Sequence, residues 1–558
     1  MGRAEPRPSA RTIALTLVGL AMLASAALAL YWGRGWTIGG DEIGYASRLS
    51  EQSLGHAMLY PPASNYLIAA PLAVYRLMFE TFGLTAYFPY RATGILLELL
   101  CAGLFYALAR RRVGDLWAIV PTVLLLFFGY GWEHVLTSAR LPGSLALAAG
   151  LGSLLALEGE SRRRDVVAAL LLTLSLASHP LGLAFVSAAA VLVLTRDPPR
   201  RWESSWIFAA PLCLYAAWWV LLRPAGSTPM QWGLGATASF VGESWTATTE
   251  AVTGLAGVLD PPIQTNPIGW IAGAVLIALV AAAVAMNLRR FPPSFWAIAA
   301  GLLTLMLSTA ATRGNAFLMA IRPADSPRYL YPQAFLLLLL LVEVAGAIRP
   351  VTWMKWAAAG VLALGLAANV SRLDQVSAGG RSGSTPVRTA YGAIEIGRDT
   401  VDPSYRPLGG LFPDAGDFLD LTGDFGSFAY TADQLRGASP SAQLLADATL
   451  AKALRLNVTP ARHAARSGCD RLAQSRGASG GPEVITLPPN GVSLSAKRIA
   501  KVDLRIGRFS DAPSVSLAMP DSGRHASLAI PADASTVPWR LEVLSRGRVS
   551  VCRLSHRS

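Results

Sequence analysis

The fold class that the sequence predicts is a polytopic α-helical membrane protein with a C-terminal water-soluble region, and three observations carry that prediction. Apolar segments recur from residue 12 to about residue 370. Hydrophobic residues make up 53% of the chain and charged residues only 15%, a balance unsuited to a soluble protein of 558 residues. After "SRLDQVSAGGRSGSTP" the composition turns to denser Gly, Ser, Asp and Arg. These observations divide the chain into a membrane domain over 1–370 and a soluble domain over 371–558.

The elements come in order along the chain. "MGRAEPRPSAR" is a basic leader, and the apolar run 12–32 is long enough to span a bilayer. Its alternative is a cleaved signal peptide, since "ASA" at 24–26 resembles a cleavage site. Kept as a span, it starts with a cytoplasmic N-terminus and makes 33–90 the first outer loop. Arginine clusters "ARRRVGD" after 92–108, "ESRRRD" after 144–157 and "TRDPPRRW" after 183–194 mark cytoplasmic turns. "FGYGWEHVLTSARLP" and "ASHPLG" become outer turns. The stretch 166–194 is short for two spans, so His179-Pro180 is expected to join short or tilted helices. Spans at 206–222 and 268–286 flank a long outer loop, 223–266; further spans come at 295–311, 329–347 and 356–370. The total is about eleven, an odd number, which places the soluble tail outside the cytoplasm.

The net charge of +13 is mostly arginine in those turns, so membrane orientation accounts for it. No interleaving of aromatic and basic residues points to nucleic acid. No internal repeat relates the two halves. In the tail, 387–456 is mixed, with a helical "SAQLLADATLAKALRL". From about 460 short alternating segments such as "VSLSA", "VDLRIGRF" and "WRLEVLS" predict a β-sandwich closing an extracytoplasmic α/β region. Cys101 and Cys213 lie in apolar segments. Cys469 and Cys552, near opposite ends of one small domain, are candidates for a disulfide, which persists outside the cytoplasm.

"IGGDEIGYASRLSEQ" places Asp41 and Glu42 just beyond the first span. One reading is an Asp-capped helix on the membrane surface with its acids in water. The other comes from the neighbouring residues on the C-terminal side. "DEIGYA" leads into "LYPPASNYLIAAPLAVYRLMF", and Asp41, Glu42, Tyr45, Ala46, Pro61 and Pro62 keep that order. The stretch resembles the GT-C superfamily of membrane glycosyltransferases, in particular the bacterial aminoarabinose-transferase and protein O-mannosyltransferase group. Arg91 matches an arginine opening that group's second span, and "SPRYLYPQAF" at 326–335 is similar to its late Tyr and Pro signature. The resemblance covers about 12–370 and departs in two places: Pro142 in "RLPGS" stands where the group has a second Asp, and His179 stands for a Lys. Glu133 is the nearest other outer carboxylate.

The resemblance implies transfer of a sugar, with inversion, from a polyprenyl-phosphate donor to an extracytoplasmic glycan, lipid or protein in the cell envelope of a bacterium. Such a reaction needs a carboxylate for the acceptor hydroxyl and cations for the leaving phosphate. Asp41 is the candidate base, with Glu42 supporting it or binding acceptor. Arg91, Arg140, Arg322 and Arg328 are cations on the outer side, either for the donor phosphate or snorkelling at lipid headgroups. Arg328 leads because Tyr329 adjoins it. Glu133 and His134 are expected to orient donor or acceptor, and Tyr45 and His179 to line the site. Glu98, inside a span, is either a site wall or the partner in an interhelical hydrogen bond, and the second is favoured. No Cys/His pattern, phosphate loop or nucleophile elbow implies a cofactor, and metal independence is favoured over a divalent ion. Two rivals stand: a transporter or flippase of lipid-linked sugars, with ionisable groups along a central path, and a non-catalytic membrane anchor bearing a carbohydrate-binding sandwich.

Overall fold

The computed structural model describes residues 9–60, 66–159, 161–222, 233–255, 267–313, 323–348, 350–409, 412–461, 471–475, 483–545 and 548–554. The chain divides into two compact units. The first holds Met1–Arg34, Glu51–Met78 and Phe88–Gly380; the second holds Gly35–Ser50, Phe79–Tyr87 and Arg381–Ser558. Two pieces of the first loop therefore belong with the C-terminal third of the chain.

The first unit is a bundle of apolar helices, the form that lets a lipid-immersed backbone satisfy its own polar groups. Among the described residues, seven helices are long and apolar enough to cross a membrane: Ala10–Trp32, Phe88–Val113, Pro198–Leu221, Pro267–Asn287, Pro293–Thr312, Pro327–Ile348 and Thr352–Ile396. The pair Ile119–Leu126 and Gly129–Leu136, bent by 42°, makes an eighth if it is one span. The expected count of about eleven differs at 141–194. There Leu141–Leu157, Arg162–Ser178 and Gly182–Leu194 have 17, 17 and 13 residues, short of the ~20 that a full crossing takes. His179 breaks the last two with an extended backbone.

The bend falls at Gly129–Gly131, where the chain crowds another helix. A side chain at Gly129 would meet the carbonyl oxygen of Asn369. Asn369 is fully buried and binds three segments: its amide oxygen accepts from Tyr130 N (3.1 Å), and its amide nitrogen donates to the Ala251 and Gly365 carbonyls (2.8 Å each).

The loop expected over 223–266 instead contains a 20-residue helix, Leu234–Thr253. Its Ser and Thr side chains can compete with the backbone for hydrogen bonds. Here they are placed: Thr248, Thr249 and Thr253 bond carbonyls one turn back, and Ser244 and Thr248 also bond Gln333. A second difference concerns the Gly/Ser-rich break near residue 380. The helix Thr352–Ile396 runs through it for 45 residues with Pro386 inside. Burial of Thr389, Ala390, Tyr391, Ala393 and Ile394 outweighs the breaker signals of the sequence.

In the second unit, Leu84 N donates to Phe425 O (2.7 Å) and Phe79 packs on Phe425, which fastens the 79–87 piece. Helices Ala415–Phe425, Ala432–Arg436 and Pro440–Ala453 start at side-chain caps Asp414, Thr431 and Ser439. Among the described residues, nine strands follow in this unit: β1 Val458–Pro460, β2 Arg471–Ser475, β3 Glu483–Thr486, β4 Val492–Ala496, β5 Val502–Gly507, β6 Val515–Leu517, β7 His525–Leu528, β8 Arg540–Ser545 and β9 Val549–Arg553. They form a five-stranded sheet, β1-β7-β4-β9-β2, and a four-stranded sheet, β3-β8-β5-β6, with every pairing antiparallel.

Asp447, buried on Pro440–Ala453, accepts from Arg508 N and Phe509 N (2.9 Å each), Ser510 N (3.1 Å) and Ser510 Oγ (2.6 Å). Four donors offset the cost of burying that charge and pin the helix to the turn after β5. Cys552 is disulfide-bonded, and Cys101 and Cys213 are free thiols. Cys469 lies outside the described residues.

Candidate functional site

In the first unit, three helix starts bring charge together. Glu133 is the second residue of the short helix Trp132–Leu136, Arg140 is the N-cap of Leu141–Leu157, and Arg328 is the second residue of Pro327–Ile348. Pro142 sits in the first turn of its helix, a position that needs no N–H donor. Arg328 Nη2 donates to Glu133 Oε1 (3.2 Å) and lies 3.1 Å from Oε2. Arg140 Nε lies 2.6 Å from Oε2. Two guanidiniums thus meet at one carboxylate, in charge-assisted contacts. Arg328 Nε and the hydroxyl of Tyr329 are buried without hydrogen-bond partners among the described residues. Tyr329 packs edge-on against Phe240 at 6.2 Å.

Other residues singled out in the sequence stand elsewhere. Arg91 is buried, and its guanidinium donates to the Ala29 and Leu30 carbonyls, capping the C-terminal end of Ala10–Trp32. Positive charge there suits the helix dipole, so Arg91 stabilises that helix end. His134, expected to orient a ligand, is 3% exposed and enclosed by protein. Its ring stacks on Tyr331 (4.5 Å between centroids, 8° between planes), with Nδ1 2.9 Å from Ser144 Oγ and Nε2 3.4 Å from the Arg328 carbonyl. His179 accepts at Nδ1 from Leu181 N (3.2 Å) and meets Tyr66 edge-on at 5.0 Å. Glu98 lacks the expected interhelical hydrogen bond: it is 1% exposed, and neither carboxylate oxygen has a partner among the described residues. Tyr331, with which it interacts electrostatically, also has an unpartnered hydroxyl. Arg322, Pro61 and Pro62 lie outside the described residues.

In the second unit, the helix Gly40–Glu51 carries Asp41 and Glu42 in its first turn. The cap falls on Gly39, not on Asp41: Ile43 N donates to Gly39 O (3.0 Å), and Glu42 Oε2 accepts from Gly39 N (2.7 Å). That is the returning half of a capping box. Glu42 Oε1 also accepts from the Tyr87 hydroxyl (2.9 Å), and Glu42 is 1% exposed. Its carboxylate is therefore committed to building the helix start. Tyr45 is buried one turn on, and Asp41 is half-buried.

Two acids escaped the sequence reading. Glu250, on Leu234–Thr253, is 1% exposed with both oxygens unpartnered among the described residues. Burial, and then Asp325, push its carboxyl up to about 7. Burial likewise raises Asp325 to about 6, with Glu243 adding to the rise and a backbone hydrogen bond opposing it. A helix within the expected loop was the signal needed to find Glu250. Among the described residues, no group of three or more His, Cys, Asp or Glu is placed to hold a metal ion.

No family model and no curated protein matches the sequence. The structure superposes on two crystal structures of ArnT from Cupriavidus metallidurans. For the one bound to undecaprenyl phosphate the TM-score is 0.45 with 15% identity, and for the apo state the TM-score is 0.48 with 16% identity. In each case 74% of this chain and 85% of that chain are covered. The likeness is one of chain trace, and no residue's role rests on it.

Proposed function

We propose that the protein is an integral-membrane glycosyltransferase of the GT-C type, moving one sugar from a polyprenyl-phosphate donor to an extracytoplasmic acceptor with inversion. The observation that carries the reading is the pair Arg140 and Arg328 on the single carboxylate Glu133. Glu133 holds both guanidiniums in place, as a carboxylate accepting from two arginines does. Among the described residues, Arg328 Nε and the hydroxyl of the adjoining residue Tyr329 have no hydrogen-bond partner, and a guanidinium is a planar donor of the kind that binds phosphate oxygens.

In the proposed step, a carboxylate takes the proton of the acceptor hydroxyl as that oxygen attacks the anomeric carbon opposite the phosphate. The carbon–oxygen bond to phosphate breaks, and its electron pair leaves with the lipid phosphate. Cations set in advance where that charge grows lower the barrier. Asp41 is the proposed base on its sequence context, with Glu42 supporting it. A base in place contributes ~10²- to 10⁴-fold. The disulfide-bonded Cys552 supports an extracytoplasmic second unit, where the two sheets would guide the acceptor.

The test is sugar transfer by the purified full chain. Asp41→Asn is expected to cut the rate by ~10²-fold or more with folding unchanged. Activity near that of the parent would remove Asp41 from the base role. Failure of the parent chain to bind any polyprenyl phosphate would remove the reading itself.

A further inference from the structure

Beneath the charged cluster lies a second, uncharged set of contacts made by the same three helix starts. Each member of the cluster has a neighbour in it. His134 adjoins Glu133 directly; Ser144 stands one turn after Arg140, linked by the hydrogen bond from Ser144 N to Arg140 O (2.9 Å); Tyr331 stands one turn after Arg328. These neighbours meet through His134, whose ring lies flat on Tyr331 and touches Ser144 Oγ and the Arg328 carbonyl. A carbonyl only accepts, so partner chemistry assigns the proton to Nε2 and leaves Nδ1 to accept from the Ser144 hydroxyl.

We propose that His134 is a positioning residue for the anion site: it fixes the spacing of Arg140 and Arg328 and so sets the affinity for the phosphate of the donor. The inference rests on the glycosyltransferase reading for its ligand, but not for its geometry. The physical reason is the difference between the two layers. Ion pairs of partly exposed arginines tolerate many geometries and are weakened by salt. A buried imidazole held by a ring stack and two hydrogen bonds has one orientation, and each net hydrogen bond contributes on the order of 1 kcal/mol. Gly143 lies close against one side of that ring, because a side chain at Gly143 would come within 2.8 Å of His134 Cε1.

The experiment uses the full chain in detergent, with decaprenyl phosphate as the binding probe, and compares His134→Ala, His134→Gln and Gly143→Ala. His134→Ala is expected to weaken decaprenyl phosphate binding and raise the donor KM by about tenfold, with kcat within about threefold of the parent. His134→Gln, whose amide replaces one hydrogen bond, is expected to recover part of that loss. Gly143→Ala leaves every polar group in place and is expected to weaken binding by several-fold through displacement of the ring. A second readout needs no donor: phenylglyoxal labelling of Arg328, measured by mass spectrometry, is expected to quicken several-fold in His134→Ala. Unchanged binding and unchanged labelling in folded His134→Ala would overturn the proposal, as would a collapse of kcat at constant KM, the mark of a group acting on the reacting atoms. If the parent binds no decaprenyl phosphate, the glycosyltransferase reading fails, and the labelling result alone decides the role of His134.

Discussion

The helices Leu141–Leu157 and Pro327–Ile348 carry ion clusters at opposite ends, and the two clusters differ in where on the helices their arginines stand. At the N-terminal ends, Arg140 and Arg328 share Glu133. Toward the C-terminal ends, Arg111 and Arg112 meet Glu158 and Glu343: Arg112 Nη2 lies 2.9 Å from Glu158, Arg112 Nε 2.8 Å from Glu343, and Arg111 also contacts Glu158. The second cluster pairs two cations with two anions and is complete as it stands, tying Phe88–Val113 to both other helices. The first brings Arg140 and Arg328 to Glu133 at helix starts. Ion pairs that link helices serve the fold, whereas partly buried guanidiniums at helix starts are groups of the kind that bind an anion from outside the chain.

Mutation can break that contrast, and the largest effect is expected at Arg328. Arg328→Ala should lower sugar transfer by ~10²- to 10³-fold, as the loss of a charge-stabilising donor does. Its melting temperature should move little, because Glu133 keeps Arg140; the check is specific activity of monodisperse protein beside its thermal melt. Arg112→Ala should do the reverse. It leaves Glu158 with Arg111 alone and Glu343 without its arginine, so a loss of about 2–3 kcal/mol in stability is expected, with transfer per folded molecule preserved. Equal activity losses in both variants would erase the distinction between the two ends.

Glu133→Gln sharpens the same contrast. It removes the charge that holds two guanidiniums together, so a stability cost of about 1–2 kcal/mol is expected from their repulsion. Decaprenyl phosphate should still bind, now with steeper salt dependence. Loss of binding with unchanged stability would make Glu133 a ligand contact and not a holder of arginines.

The smallest effect concerns Glu250. Its carboxyl is raised from an ordinary 4.5 to about 7 in the folded chain. The folded state therefore holds a proton that the unfolded chain gives up at lower pH. The resulting stability is fully present below about 4.5 and is lost as pH rises through about 7. Thermal melts between about pH 5 and pH 7.5 should decline by an amount on the order of 1–3 kcal/mol, and Glu250→Gln should flatten the decline. A parent melt independent of pH over that window would contradict the raised value.

Much of this was legible in the residues themselves. Arg140 and Arg328 stood out because arginines on the outer side of a membrane run against the usual charge bias. The break at His179-Pro180 came from turn chemistry, and the helix expected over "SAQLLADATLAKALRL" is found over Pro440–Ala453. What escaped was set by distant packing. Glu133 and Arg328 meet across 195 residues of chain. The helix Leu234–Thr253 depends on Gln333, and the run of helix through Pro386 depends on burial in the second unit. Arg91 looked like its partners by residue type and position, yet the end of Ala10–Trp32 claims it.

The sequence by itself determined the membrane class and which polar residues lie near the ends of apolar segments, because hydropathy and charge bias are sums over neighbouring residues. Only the tertiary structure decided which of those polar residues are already used. Glu42 and Arg91 are committed to helix ends, His134 is enclosed, and Arg140 and Arg328 share a single carboxylate. That division depends on partners and burial, and neither is a local property of the chain.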